Sequence, residues 1–419
     1  MSSARDRLRF FLGAFGDPGH VFPMLALGTR LAARGHAVML ETWPRWREHV
    51  EAAGMEFADA PGYPVFPTRE RPLRPYEAVV PATRETRPTV AGFSPDVVVH
   101  DILTLAPALA AELEDVPVAT LVPHLHPSSA PGFPPYALGA RLPRTRAGTA
   151  FWRRTKALVD SGLRLGRAQL NDARAQLDLP PVERLHGGLS AELCLVAAFP
   201  QLEYPRDWPG EVRIIGPLLW EPSSRDADAP PGSEPLVLIA PSTSQDPDHR
   251  LLRAALVGLA HEPVRVLGVT AGKPIADPVP VPANTRLVDW LSYSRAMPDC
   301  ALVVSHVGHG TLAHALAAGR PLVAVPHAGD MAENAARLDW AGLGVRLPWR
   351  FLSPATLRLA VRRALGDASL ARRAGELAAW AADNDGAARA AELLEALALS
   401  RPAAVGRLRG WDSNPQPFG

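Results

Sequence analysis

The sequence predicts an α/β chain folded as two parallel-sheet domains, and three observations carry that expectation. Short apolar runs alternate with helical patterns twice along the chain, the signature of right-handed βαβ units. Residues 221–234, rich in proline and scattered charges and without periodicity, separate the two series as a linker. The 419 residues are 47% hydrophobic and 21% charged, enough apolar material for two cores and too much for a disordered chain.

In the first series Leu8–Leu12 is expected as a strand, followed by the glycine-punctuated loop Gly13–Gly19. Phe22–Arg34 has a broad apolar side through Leu25, Leu27 and Leu31 and a stop at Gly35, so it is expected as a helix. Further strands follow at Ala37–Glu41, Val97–Val99 and Val118–Val122, with a helix at Leu105–Leu113. Residues 124–149, rich in Pro, Gly and Ser, carry no assignable element; an amphipathic helix at Trp152–Leu177 and a strand at Leu193–Ala197 complete a first domain over 1–220. In the second domain, 235–399, strands are expected at Leu236–Ala240, Val264–Val269, Leu302–Val304 and Leu322–Val325. Helices at Arg250–Ala260, Gly310–Ala318, Ala332–Trp340 and Pro354–Ala364 lie among them, and two more close the domain, the last near Ala387–Leu399. The tail, 400–419, lacks apolar periodicity and is expected to be disordered.

Composition narrows the function. Lys+Arg 44 against Asp+Glu 43 gives a net charge of +1, with none of the basic excess that nucleic-acid binding needs. Two cysteines, Cys194 and Cys300, make neither a disulfide framework nor a C-x-x-C site. With no membrane span and no export signal, a cytoplasmic protein is expected, as a monomer or homodimer. The excess of Arg, Ala, Pro and Gly is ascribed to codon bias and carries no function.

Two open α/β sheets leave a cleft beyond the carboxyl ends of their strands, where ligands bind. Ser305-His306-Val307-Gly308-His309-Gly310-Thr311 stands at such an end and opens a helix. Glycines and a helix N-terminus suit a diphosphate, with His306 as a further donor; a ligand-free turn is the alternative. In the first domain His20 follows the first strand and Asp101 ends another. Alone His20 also suits a capping role, but a carboxylate able to orient it makes a general base. No Walker loop, no strand followed by G-x-G-x-x-G and no G-x-S-x-G is present, which disfavours a nucleotide triphosphatase, a nicotinamide cofactor and a serine hydrolase. The spacing of His306, His309 and His314 lacks a completing ligand, and the pairs Asp226/Asp228, Asp246/Asp248 and Asp383/Asp385 lie in the linker, at a helix start suited to capping, and between helices. No metal is expected.

Gly19-His20-x-x-Pro23, the strand Asp96–Asp101 and the ordered run Trp290, His306-x-Gly308-x-Gly310-Thr311, Ala315-Leu316, Gly319-Arg-Pro321, Pro326, Asp330 and Asn334-Ala335 resemble the UDP-glycosyltransferase superfamily, closest to its bacterial natural-product type. The resemblance implies the GT-B fold and inverting, metal-independent hexosyl transfer, without a cofactor, from a UDP- or dTDP-sugar donor to a small hydrophobic acceptor such as a polyketide, macrolide or phenolic. It makes His20 the base and Asp101 its support. It puts the diphosphate against His306, Gly308, Gly310 and Thr311 with Ser242, Thr243 and Ser244 beside it, the nucleobase on Trp290, and the sugar at Asp330 and Met331. Three positions depart from the family pattern: His314 stands where the family has a ribose-binding Glu, Met331 where it has a sugar-contacting Gln, and Leu291-Ser292-Tyr293 where Pro-Gln follows the tryptophan. A nucleotide-sugar 2-epimerase and a non-catalytic sugar-nucleotide-binding auxiliary protein are the alternatives.

Overall fold

A computed structural model of the chain describes residues 7–62, 76–128, 130–222, 228–241, 246–275, 279–327 and 329–400. Two wholly parallel sheets form its two layers of strands. The first runs β3-β2-β1-β4-β5-β6-β7, from β1 (Arg9–Gly13), β2 (Ala37–Thr42), β3 (Glu56–Asp59), β4 (Val97–Asp101), β5 (Val118–Val122), β6 (Leu193–Val196) and β7 (Val212–Ile214). The second runs β10-β9-β8-β11-β12-β13, from β8 (Leu236–Ala240), β9 (Arg265–Val269), β10 (Thr285–Val288), β11 (Leu302–Ser305), β12 (Leu322–Ala324) and β13 (Gly344–Arg346). Central strands such as β4, β5 and β8 are buried along their whole length, as continuous apolar runs covered by helices on both faces should be.

Helices α1 (Pro18–Ala33), α2 (Arg47–Ala52), α3 (Val79–Phe93), α4 (Ala106–Leu113) and α5 (Arg146–Ala175) belong to the first sheet's half of the chain. The second half carries α6 (Arg250–Gly258), α7 (Tyr293–Ala296), α8 (His309–Ala317), α9 (Met331–Ala341), α10 (Pro354–Gly366), α11 (Ala368–Asp383) and α12 (Gly386–Ser400). Compared with the sequence expectation, α1 starts four residues earlier, so His20 lies in its first turn rather than ahead of it. The edge strands β3, β7, β10 and β13 and the helices α2 and α3 were not anticipated.

α12, placed by sequence in the second domain, packs across on the first. Ala390, Ala391 and Leu394 share a buried cluster with Phe10, Leu12 and Leu27. Glu395 accepts from Arg34 Nε and Nη2 at 2.6 and 2.7 Å and sits 2.7 Å from His36 Nε2, and Arg30 pairs with Asp385. The anticipated linker begins at Glu221, which is described; its residues 223–227 lie outside the described residues, as do Ser242, Thr243, Ser244 and the tail beyond Ser400.

Strand order reverses at β1/β4 in the first sheet and at β8/β11 in the second, so the loops that follow those strands diverge and open a crevice. His20 and Asp101 stand at the first switch point; His306 and Asp246 stand at the second. Each sheet therefore carries one His–Asp pair at its reversal.

Candidate functional site

Asp101 ends β4 and is fully buried. Its Oδ2 accepts the Phe15 amide at 3.2 Å, and its Oδ1 lies 2.8 Å from His20 Nδ1. A carboxylate fixed this way accepts from Nδ1–H and leaves Nε2 as the basic nitrogen. His20 comes from the first turn of α1, where Pro18 supplies the missing-donor position at a helix start. Phe15 meets the ring edge-on at 6.0 Å and His124 at 6.3 Å, while Tyr136 stacks on His124 and hydrogen-bonds its Nδ1 at 3.1 Å. Burial lowers the His20 pKa, but the charge and hydrogen bond of Asp101, then Asp330 and Asp17, outweigh it and hold the value above the ordinary 6.5. Burial dominates at His124 and lowers its pKa, leaving a neutral ring beside the charged pair.

The sign of these shifts sets a pH prediction. With His20 in the role of base proposed below, the neutral ring is the active form, so activity is expected to rise with pH through the folded His20 pKa, above 6.5. The charged pair contributes stability that is complete below the unfolded value and is lost as pH rises through the folded one. Asp101→Asn removes the largest of the influences that raise the value and leaves those of Asp330 and Asp17, so the rising limb of the rate profile moves to lower pH and its plateau falls. A limb that stays in place in Asp101→Asn disproves the coupling.

Across the crevice β11 leads into Ser305–Thr311. Val307 adopts φ +54°, a left-handed conformation that costs a β-branched residue on the order of 1–3 kcal/mol. The turn is held by the Ser305 hydroxyl, which accepts the Val307 amide at 3.0 Å, and by Asn334, which donates to the Val307 carbonyl at 2.9 Å. It brings Gly308 to the cap of α8, and a Cβ at Gly308 or Gly310 would meet nothing within 4 Å. The cradle is thus open and donor-rich.

His306 has a different setting from the one expected. It is buried, Nδ1 donates to the Val325 carbonyl at 2.8 Å, and Nε2 lies 3.3 Å from Asp246 Oδ2. Asp246 also accepts the Arg250 and Leu251 amides at 2.9 and 3.0 Å and so caps α6, with Asp248 outside that role. These contacts tie the residue that follows β11 to the loop after β12 and to the start of α6.

Trp290, after the edge strand β10, is 59% exposed, and its indole lies beside Gly272. Its loop is pinned by the start of the linker, because Glu221 accepts from the amides of Tyr293 and Ser294 at 2.8 and 3.2 Å and from the hydroxyls of Ser292 and Ser294. His314 turns toward that linker: burial lowers its pKa, partly offset by the charge of Glu221 and the Trp220 backbone, and its ring meets Tyr293 edge-on at 5.9 Å. Asp330 precedes α9, accepts from Asn334 Nδ2 at 3.1 Å, and is near enough for its charge to act on His20, His124 and Tyr136. Met331 follows it, buried at the first position of α9.

Two interdomain groups escaped the sequence reading. His309 Nε2 donates to the Ala197 carbonyl at 3.0 Å, and burial lowers its pKa to about 4. Arg337 of α9 bonds Glu333 at 2.8 Å, Glu203 and the Leu202 carbonyl at 3.2 Å each, and lies 3.5 Å above the Tyr204 ring. Gly139, at φ +62°, lets the 130–145 segment dock on Ala332 at the start of α9, since a Cβ there would sit 2.7 Å from the Ala332 carbonyl. Partners separated by such distances in sequence leave no local spacing signal.

Comparison with known proteins agrees with this architecture. Residues 10–120 match the glycosyltransferase family 28 N-terminal domain, and residues 251–397 match the erythromycin biosynthesis protein CIII-like C-terminal domain. The chain is 32% identical to the O-mycaminosyltylonolide 6-deoxyallosyltransferase of Streptomyces fradiae over 95% of its own length and 99% of that protein. It is 29% identical to the 4'-demethylrebeccamycin synthase of Lentzea aerocolonigenes, covering 91% and 97% of the two chains. A crystal structure of the kitacinnamycin glycosyltransferase superposes with a TM-score of 0.73 at 21% identity, covering 93% of this chain and 99% of that one. Fold, ordered motifs and relatives together place the chain in the bacterial natural-product glycosyltransferases of the UDP-glycosyltransferase superfamily, enzymes of the antibiotic-biosynthesis type with the GT-B fold.

Proposed function

We propose that the enzyme is an inverting, metal-independent glycosyltransferase that moves a deoxysugar from a dTDP-linked donor to a hydroxyl of a small hydrophobic acceptor. The observation that carries this reading is the His20–Asp101 pair, 2.8 Å apart and sharing the crevice with Asp330. His20 Nε2 takes the acceptor proton as the acceptor oxygen forms its bond to the anomeric carbon. The bond from that carbon to the diphosphate breaks on the opposite face, and the diphosphate leaves with the electron pair. Charge developing there meets the amides at the start of α8, with Gly308, Gly310 and Thr311 around it. Trp290 stacks on the base, and Asp330 holds sugar hydroxyls. No cofactor enters; the nucleotide sugar is a co-substrate, and the enzyme works in the cytoplasm as a monomer or homodimer.

The donor preference rests on His314 and Met331. His314, a buried imidazole whose pKa burial lowers, offers no carboxylate to a ribose, which lowers the penalty for a 2'-deoxyribose. A buried thioether at 331 suits a deoxygenated carbon and would leave a hydroxyl there unpaired, at about 1–3 kcal/mol. A relative whose name specifies a 6-deoxyallosyl group supports the same choice. The test is a panel of dTDP- and UDP-sugars with polyketide and phenolic acceptors, with dTDP and UDP competing for binding. The expected result is tighter dTDP binding, and a gain for UDP-glucose in Met331→Gln. A clear UDP-glucose preference that Met331→Gln leaves unchanged refutes it.

A further inference from the structure

α5 carries a surface that the transfer reaction leaves unused. Only Leu170, Ala173 and Arg174 of its thirty residues are buried; its N-terminal two-thirds lie on the surface with one side half-buried and the other open to solvent. Phe151, Leu158 and Leu165 repeat every seven residues on the outer side and are 57%, 77% and 62% exposed. Seven residues advance about 10 Å along a helix, so these side chains form a straight ladder of separate apolar pegs. The charge around them is one-sided. Residues 141–167 hold eight Arg or Lys against a single acid, Asp160, in a chain whose net charge is +1. Arg144, Arg146, Arg153, Arg154 and Arg164 are exposed and make no ion pair among the described residues. Arg154, three residues after Phe151 and four before Leu158, borders the ladder directly.

The geometry points to an anionic lipid surface as the partner of this face: α5 lies in the headgroup region with Phe151, Leu158 and Leu165 inserted and its arginines on lipid phosphates. The composition of the face selects lipid over a helical protein. A knobs-into-holes partner needs a second apolar row three or four residues from the first, and those positions hold Arg154, Thr155, Ser161 and Gly162. Isolated apolar pegs flanked by arginines are instead what an interfacial helix presents to a bilayer. The helix begins just after the segment that carries His124 and Tyr136 beside His20, so a seated α5 brings the acceptor side of the crevice to the membrane surface. That benefit to catalysis rests on the hydrophobic-acceptor reading above; binding itself is measured without acceptor, so failure of one is distinct from failure of the other.

The test is flotation of the full chain with phosphatidylcholine vesicles, with and without phosphatidylglycerol. Binding is expected only to the anionic vesicles and should weaken with salt. Each basic group near such a surface is worth roughly fivefold, so a combined Arg153→Gln, Arg154→Gln, Arg164→Gln variant should partition about 100-fold more weakly. Phe151→Ser, Leu158→Ser and Leu165→Ser together should cost more than about tenfold. Both variants should keep native transfer to a water-soluble acceptor, which shows that they fold. No binding to anionic vesicles, or binding indifferent to both variants, overturns the proposal. So does a concentration-dependent dimer abolished by Leu158→Ser, which would assign the face to a second copy of the chain.

Discussion

His20→Ala lowers turnover with an alcohol acceptor by about two to four orders of magnitude while leaving donor affinity intact. The asymmetry follows from position. His20 approaches the crevice from the first sheet, and its contacts are Asp101, Phe15 and His124, all from that same sheet's half. An alcohol needs a base to reach an anomeric carbon, whereas an acidic phenol is already part-ionised at neutral pH. The loss should therefore shrink with phenolic acceptors, and the same trend should be milder in Asp101→Asn. Initial rates with paired alcohol and phenol acceptors, alongside donor binding by calorimetry, check this. Near-native rates with the alcohol would remove His20 from the role of base.

Arg337→Met destabilises the protein by roughly 3–5 kcal/mol, because it leaves the buried Glu333 without its cation and Glu203 with only Arg206, 4.0 Å away. Glu203 and Glu333 lie on opposite halves of the chain and both carboxylates point at one guanidinium. Burial already raises the Glu333 pKa against the pull of Arg337, so the variant's remedy is to protonate that carboxyl. Its deficit should be smaller at low pH. The α9 start carries Met331 and follows Asp330, so the donor KM should rise more than kcat falls. Thermal unfolding gives the stability: a melting-point change no larger than that of a surface substitution contradicts the network's role. Adding Glu203→Gln to Arg337→Met should recover part of the loss, since the two sites share one interaction.

The legible part of the molecule was its fully buried part. Val97–Val99, Val118–Val122 and Leu236–Ala240 stand out as apolar runs because helices cover both faces of those strands. Edge strands have one flank open and mixed side chains, as in Glu56–Asp59 and Thr285–Val288, and nothing in their pattern separates them from loop. α3 was hidden by Pro88 within it and by its polar Thr and Arg residues, although tertiary packing on α4 sustains the helix. At the site, strand-end logic located His20, Asp101 and the Gly308–Gly310 turn, since each ends its strand or stands in the connection from that strand to the next helix. The partners of His306 and Arg337 lie 60 and 134 residues away, and only the fold brings them together. Glu221 was hidden by its neighbours: a composition typical of a linker concealed a carboxylate that anchors the Trp290 loop.

The central claim is that a base-activated hydroxyl displaces the diphosphate in line, with helix amides in place of a metal. Product formed in the presence of EDTA, with its anomeric configuration assigned by proton coupling in NMR, tests that claim most directly. The expected result is undiminished turnover and a product whose anomeric configuration is inverted relative to the donor. Retained configuration, or turnover that returns only on adding magnesium or manganese, would contradict it.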